Sequence, residues 1–329
     1  MRLLIFEPAF RRLEARLAAH ATSLECLVMD ESGRMNLAGA EIASEEARPD
    51  AAWASSEVFL SPAARAFLTT LLKAPDLRWT QSAAAGFDHP VFAKLVAKGA
   101  RLTTSHGQAV GMADYVLAGV LDHFQRGPER RAAQTEGAWR PLPFREVLGS
   151  VWLMVGFGAV GQAVAARARA FGARIIGVRR DGAAHPLADT LAPPTAVTGL
   201  LPTADVVVLS APLNASTRHM ADAAFFAAMR PQSVLVNVGR GALVDEAALL
   251  GALGRGRPAH AVLDVFETEP LQPDHPFWRH RRVALTAHAS GVTGAQDVRN
   301  EALFLDNLAR FLAGEPLLGE ADPGDVLAP

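Results

Sequence analysis

Short apolar runs alternate with helix-spaced apolar positions along most of the chain, the pattern of a parallel α/β sheet. In the first hundred residues the runs predict strands at Leu3–Phe6, Leu24–Val28, Ala51–Ala54, Leu77–Thr80 and Arg101–Thr104, with helical segments such as Pro62–Leu72 and Pro90–Lys98 between them. Together they describe a small flavodoxin-like unit. A helix over Gly111–Arg126 follows, ending near Gly127-Pro128, and then a polar, Arg-rich stretch to about Phe144. A second α/β unit starts at Val151–Val155 and continues through Arg174–Val178, Val206–Leu209, Val234–Val238, Ala261–Leu263 and Val283–Leu285. That is enough for a complete doubly wound sheet. The segment Gln296–Ala313 places Ala302, Leu305, Leu308 and Leu312 on one helical face, with Gly314 to stop it and Pro316 beyond. The terminal GEADPGDVLAP reads as frayed.

Length and composition agree with two domains. The chain has 329 residues, 50% of them hydrophobic and 20% charged, with a formal net charge of -2. That balance argues against a broad nucleic-acid or acidic-membrane surface. One cysteine, Cys26, excludes an internal disulfide and reads as a core residue in the apolar run 24–29. The start, MRLLIFEPAF, lacks the long apolar region and small-residue cleavage site of a signal peptide. The longest apolar stretch, Val151–Ala166, is interrupted by Gly156, Gly158 and Gly161 and is too short to span a bilayer. A cytoplasmic protein is expected. No residue pattern suggests a metal site.

Gly156-Phe157-Gly158-Ala159-Val160-Gly161 follows an apolar strand and opens the helical run Gln162–Phe171. In that setting the glycines have separate tasks. Gly156 makes the tight turn, Gly158 lets the backbone approach a pyrophosphate, and Gly161 lets helix and strand pack closely. The helix N-terminus then offers free N–H groups to the phosphates. Where an NAD site usually carries an acid at the end of the next strand, this chain has Arg179 and Arg180, with no carboxylate before Asp181. Arginines there suit the 2′-phosphate of NADP. Two solvated arginines beside an NAD site would have the same sequence.

Three further groups stand at strand ends, where open α/β sheets bind ligands. Arg240 follows Val234–Val238, Asp264 ends AVLD, and His288 follows Val283–Leu285. They suit reduction of a 2-oxo acid: Arg240 binds the carboxylate and polarises the ketone, and His288 delivers the proton. A carboxylate from ETEP, Glu267 or Glu269, supports His288. Asp264 is better placed for a nicotinamide carboxamide than for acid–base work.

The runs LPTADVVVLSAPLNASTRHM, MRPQSVLVNVGRGALVDEAALLGAL, LDVFETEP and TAHASG, in that order, closely resemble the D-isomer-specific 2-hydroxyacid dehydrogenases. The likeness runs from about Leu77 to Pro316. It implies a catalytic set of Arg240, Glu269 and His288, and so selects Glu269 over Glu267. It also implies cofactor contacts at Gly156, Gly158, Ala159, Val160, Gly161, Arg179, Arg180, Pro212, Thr217, Val238, Gly239, Asp264 and Gly291. The substrate carboxylate would meet backbone amides in Ala85-Gly86-Phe87-Asp88. The implied fold is two Rossmann-like or flavodoxin-like doubly wound domains, with the cofactor domain, 105–292, inserted into a substrate domain of 1–104 and 293–329. A homodimer through the cofactor domain is implied, with Met112–Phe124 and the following arm as its elements. The two crossings imply a hinge that closes around substrate.

Some positions depart from the family pattern. Trp152 replaces a small or basic residue, and Asp114 stands where Glu is usual. Arg179-Arg180 resembles the NADP-type glyoxylate and hydroxypyruvate reductases. Trp53, after a strand end, is a candidate wall for a small 2-oxo acid, or else a packing residue. No basic cluster near Trp53 or Gly86 marks a substrate phosphate. The reading is therefore an NADPH-linked reductase of a small 2-oxo acid. Its rivals are an NAD-linked dehydrogenase of the same family and a dinucleotide-sensing, corepressor-like binding protein.

Overall fold

The computed structural model describes residues 1–20, 22–87, 89–180, 182 and 184–327. The chain divides into two compact units, Met1–Gly107 with Gly294–Pro329, and Gln108–Thr293.

The first unit begins β1 (Arg2–Phe6), α1 (Glu7–Leu17), β2 (Glu25–Met29), β3 (Met35–Leu37), β4 (Ala40–Ile42) and β5 (Ala51–Ala54). It continues α2 (Ser56–Leu60), α3 (Ala64–Lys73), β6 (Trp79–Ser82), α4 (Pro90–Ala97) and β7 (Arg101–Thr104). The sheet order is β4-β3-β2-β1-β5-β6-β7. Its five parallel strands, β2-β1-β5-β6-β7, have the flavodoxin-like order. The sheet is not wholly parallel, as the apolar pattern predicts. β3 runs antiparallel to β2, and β4 antiparallel to β3. Both are three-residue strands carrying polar residues, too short to register as apolar runs.

The second unit holds α5 (Ala109–Phe124), α6 (Gly127–Thr135), β8 (Val151–Val155), α7 (Ala159–Ala170), β9 (Arg174–Val178) and β10 (Thr190–Ala192). Next come α8 (Val197–Leu200), β11 (Val206–Leu209), α9 (Ala223–Ala228), β12 (Val234–Asn237), α10 (Glu246–Gly254), β13 (His260–Leu263) and β14 (Val283–Leu285). The order β10-β9-β8-β11-β12-β13-β14, parallel throughout, is the Rossmann order with one strand added. Strands buried on both faces need near-continuous apolar sequence, which is why VWLMV, VVVL and VLVN stand out in the chain. The Arg-rich stretch after α5 is in part helix: α6 starts with Gly127-Pro128, and proline is compatible with a first helical turn. Trp152 has a packing role. Its indole is fully buried in β8 and its Nε1–H donates to Ser150 Oγ at 2.9 Å. Asp114 binds Arg167 across α5 and α7 at 2.6 Å.

The chain then returns to the first unit with α11 (Gln296–Ala313), which ends at Gly314 in the left-handed region, φ 73°. Phe304 on this helix stacks on Trp53 and Trp79, with centroids 4.9 and 5.9 Å apart, and Phe311 stacks on Trp79 at 5.1 Å. Asn307 Nδ2 donates to buried Gln81 Oε1 at 2.8 Å. The tail is not frayed where it is described. Glu320 pairs with Arg101 through two bonds of 2.7 Å, and α12 (Pro323–Leu327) buries Val326 in the core it shares with α4. Cys26 is half-buried in this unit, and burial pushes its thiol up to about 11, so it is inert at neutral pH.

Candidate active site

The glycine loop leaves β8 with Gly156 at φ 100°, where a Cβ would stand 2.5 Å from the Ala211 amide nitrogen. Only glycine fits. Ser210 Oγ donates to Gly156 O at 2.8 Å and fixes the turn. At Gly161 a Cβ would fall 2.3 Å from that same carbonyl, so α7 packs against the turn itself. Gly158 differs: a Cβ there meets nothing within 4 Å, and no side chain caps the helix it begins. Open space therefore borders the first-turn amides of α7, including those of Ala159 and Val160. This cradle fits the pyrophosphate of a dinucleotide.

Arg179 and Arg180 follow β9 directly. Arg179 is half-buried, with its N–H bonded to Ala192 O at 3.1 Å, and Arg180 is exposed. Asp181 lies outside the described residues. After β11 the loop closes on itself: Thr217 Oγ1 donates to Pro212 O at 2.8 Å and accepts from the Asn214 amide at 2.8 Å.

At the end of β12, buried Asn237 braces the segment that carries the arginine. Its Oδ1 accepts from Gly239 N–H at 3.1 Å and its Nδ2 donates to Arg240 O at 2.9 Å. Val238 is buried, and Arg240 Nη1 donates to Gly239 O at 2.8 Å. At the end of β14, His288 sits at φ 50° with its N–H bonded to Asp264 O at 2.8 Å. Its Nδ1 lies 2.7 Å from Glu269 Oε2, while Glu269 Oε1 accepts from Phe266 N–H at 2.9 Å. The carboxylate thus holds the ring proton on Nδ1, and Nε2 is left to exchange protons with a ligand. The His288 side chain is 53% exposed, so that nitrogen is reachable. Glu267, the other acid of ETEP, meets His219 instead.

Asp264 has a task the sequence did not reveal. Rather than standing open to a carboxamide, its side chain is buried and anchors the histidine loop. Thr286 Oγ1 donates to Oδ1 at 2.5 Å and Ala289 N–H at 2.8 Å, and Ser290 Oγ donates to Oδ2 at 2.5 Å. Ser290 N–H reaches both oxygens, at 3.1 and 3.0 Å. Thr286 and Ser290, two residues either side of His288, are the signal that reveals this anchor. Tyr115 donates to Leu263 O at 3.2 Å, and burial pushes its phenol up to about 12, so it stays neutral. Gly291 follows, where a Cβ would stand 2.8 Å from Gln108 Cβ.

In the first unit, Trp53 is not a pocket wall. It lies inside β5, is 1% exposed, and is stacked on Phe304, because its strand is buried on both faces. Ala85 and Gly86 lie in the loop after β6, half-buried. That loop is held by Ala84 N–H to Ser82 Oγ and Ser105 N–H to Ala84 O, both 3.1 Å. Asp88 lies outside the described residues. Among the described residues no cluster of His, Cys, Asp or Glu could hold a metal ion, and no helix is long and apolar enough to cross a membrane.

Comparison with known proteins gives this geometry a family. Residues 117–290, a little over half of the chain, match the D-isomer specific 2-hydroxyacid dehydrogenase, NAD binding domain, family. A glyoxylate reductase from Aeropyrum pernix is 33% identical over 257 residues, 74% of this chain and 76% of that protein. Among solved structures, a D-isomer specific 2-hydroxyacid dehydrogenase from Xanthobacter autotrophicus, in complex with NADPH and MES, is 27% identical with a TM-score of 0.78. The match covers 98% of this chain and 99% of that one. An NADPH-dependent glyoxylate/hydroxypyruvate reductase from Sinorhizobium meliloti, in complex with NADP and sulfate, is 26% identical with a TM-score of 0.75, over 99% of both chains. A nicotinamide-dinucleotide loop and the matched domain and relatives lead to one conclusion: the chain belongs to the D-isomer-specific 2-hydroxyacid dehydrogenases and is an NAD(P)-dependent oxidoreductase.

Proposed function

We propose that the protein reduces a small 2-oxo acid, glyoxylate or hydroxypyruvate in kind, to the D-2-hydroxy acid with NADPH. The observation that carries this reading is the 2.7 Å contact of His288 Nδ1 with Glu269 Oε2, after β14 and β13, in the same parallel sheet whose β12 leads to Arg240. When bound, the reduced nicotinamide supplies the hydride. Arg240 pairs with the substrate carboxylate and polarises the keto oxygen. His288 gives that oxygen a proton from Nε2, and the Glu269 carboxylate stabilises the imidazolium beforehand. Gly156, Gly158 and Gly161 set the cradle for the pyrophosphate, and Pro212, Thr217, Val238, Gly239 and Gly291 lie on the loops that complete the cofactor site.

Arg179 and Arg180 stand at the strand end where a 2′-phosphate falls, which supports NADPH over NADH. The relatives that bind NADP(H) support the same choice. The first unit is the substrate domain in this proposal, with the Ala85-Gly86 turn offering backbone amides to a carboxylate, and the second is the cofactor domain. Two copies pair through the second unit: its arm carries Trp139, 98% exposed, and Phe144, 53% exposed, an apolar surface suited to a partner copy. A cytoplasmic setting completes the proposal, in keeping with a single free thiol.

The test is a panel of 2-oxo acids, including glyoxylate, hydroxypyruvate and pyruvate, each with NADPH and with NADH, followed at the reduced-nicotinamide absorbance. Turnover of a small 2-oxo acid with NADPH favoured is expected. Cofactor binding with no turnover of any substrate overturns the reaction, and equal use of NADH overturns the cofactor choice.

A further inference from the structure

The turn from Phe266 to Glu269 is gripped by the segment that begins beside Arg240. Gly241 lies flat on the peptide joining Phe266 to Glu267: a Cβ there would stand 1.8 Å from Phe266 C and 2.4 Å from Glu267 N. Glu246, the first residue of α10, accepts the Glu267 N–H at Oε1, 2.9 Å away. The preceding amide, of Phe266, goes to Glu269 Oε1. Two successive amides of one turn are thus held by two different carboxylates, and the second of these is the one that meets His288.

The two restraints differ in kind. The Gly241 contact stops the turn from moving inward but does not fix which way its peptides face. The Glu246 bond does fix that, since it needs the Glu267 N–H aimed at one oxygen. Glu246 is itself held. Its Oε2 faces His275 Nε2 at 3.4 Å, and His275 Nδ1 accepts the Phe277 N–H at 3.3 Å, which leaves the ring proton on Nε2, toward Glu246. Burial raises the Glu246 carboxyl above its usual range, opposed by the Glu267 N–H and by His275, and reinforced by the charges of Glu267 and Glu269. Glu267 turns its own carboxylate the other way, to His219.

We propose that Glu246 is a positioning residue, which by holding the Glu267 amide orients the turn that aims Glu269 at His288. The inference rests on the reading of His288 as proton donor. Without the Glu246 oxygen the turn is free to rotate, Glu269 swings off the imidazole, and the ring loses the partner that keeps its proton on Nδ1. An uncharged oxygen at the same place suffices, because the bond is to an amide.

The test compares Glu246→Ala with Glu246→Gln in the intact protein, with two measurements. Long-range proton–nitrogen NMR at alkaline pH reads the His288 tautomer, the signal being assigned by its absence in His288→Gln. The parent and Glu246→Gln show Nδ1–H, whereas Glu246→Ala shows a mixture with Nε2–H. In turnover, Glu246→Ala loses about tenfold or more in kcat, the scale of a misplaced catalytic group, with KM for NADPH within about twofold. Glu246→Gln stays within about threefold of the parent in both. The inference is overturned if Glu246→Ala keeps the parental tautomer, or if Glu246→Gln falls as far as Glu246→Ala. If the parent turns over no 2-oxo acid, the functional reading fails, and the tautomer measurement alone decides the role of Glu246.

Discussion

The imidazole of His123 lies flat against that of His260, with ring centroids 4.4 Å apart and planes 10° from parallel. Burial, joined by the charge of His123, pushes His260 down to about 4, and burial lowers His123 as well. An unfolded histidine titrates near about 6.5, so from there down to about 4 the unfolded chain binds the proton and the folded chain does not. Stability therefore falls as pH drops through that window, by about 2 kcal/mol at pH 5 relative to pH 7 from His260 alone. Urea unfolding at the two pH values measures it. His260→Gln should show a clearly smaller difference than the parent; an unchanged difference would assign the acid sensitivity to other groups.

Replacing His288 by Ala removes the proposed proton donor and leaves the glycine loop untouched. The chemical step should slow by about a hundredfold or more, the scale of general-acid help. NADPH affinity, followed by fluorescence titration, should stay within about twofold. Equal single-turnover rates in variant and parent would take His288 out of the reaction.

Neutralising Arg179 and Arg180 together should weaken NADPH by about tenfold to a hundredfold, the range of one or two charge-assisted hydrogen bonds, and leave NADH nearly unaffected. Calorimetric titration with each cofactor reads the ratio. If both weaken equally, these arginines do not read the 2′-phosphate.

Asp264→Ala strips the acceptor from two hydroxyls and two amides in the loop around His288. Donors left without a bond cost about 1–3 kcal/mol each where they stay dry, so the loop will open rather than keep its shape. Hydrogen exchange at Ala289 and Ser290 should speed up by about tenfold or more. Protection unchanged from the parent would show that the loop is held by something else.

Much of this was legible in the chain because the parallel strands at the centre of both sheets are long, apolar and evenly spaced. Val151–Val155, Arg174–Val178 and Val206–Leu209 have the bounds that their apolar runs predict. One edge of each sheet was not legible. β3, β4 and β10 are three residues long and hold by pairing with a neighbour, which leaves no periodic mark. Strand ends slipped by a residue or two, as at Trp79–Ser82, where polar Gln81 is buried with bonds to distant residues and Ser82 with a bond from the nearby Ala84 N–H, rather than by their own apolarity. At the site, residue type and order pointed to Arg240 and His288, because strand ends in this architecture face ligands, whereas the choice of Glu269 over Glu267 came only from the family resemblance. The supporting groups were hidden. Glu246, Thr286 and Ser290 make their contacts with residues far from them in sequence, and Trp53 stayed open between pocket wall and packing residue because burial on both faces of β5 cannot be seen in four residues.

The stacking of Phe304 and Phe311 on Trp53 and Trp79 has a bearing on biosynthesis. On the ribosome, the strands of the first unit emerge before the inserted unit, but the aromatic rings that stack on Trp53 and Trp79 emerge after it. The inserted unit is contiguous, Gln108–Thr293, and has all its strands in hand before α11 is translated. The nascent chain must therefore carry a sheet whose two indoles lack Phe304 and Phe311 until the whole inserted unit has been made, which makes the first unit, rather than the Rossmann unit, the natural client of a chaperone.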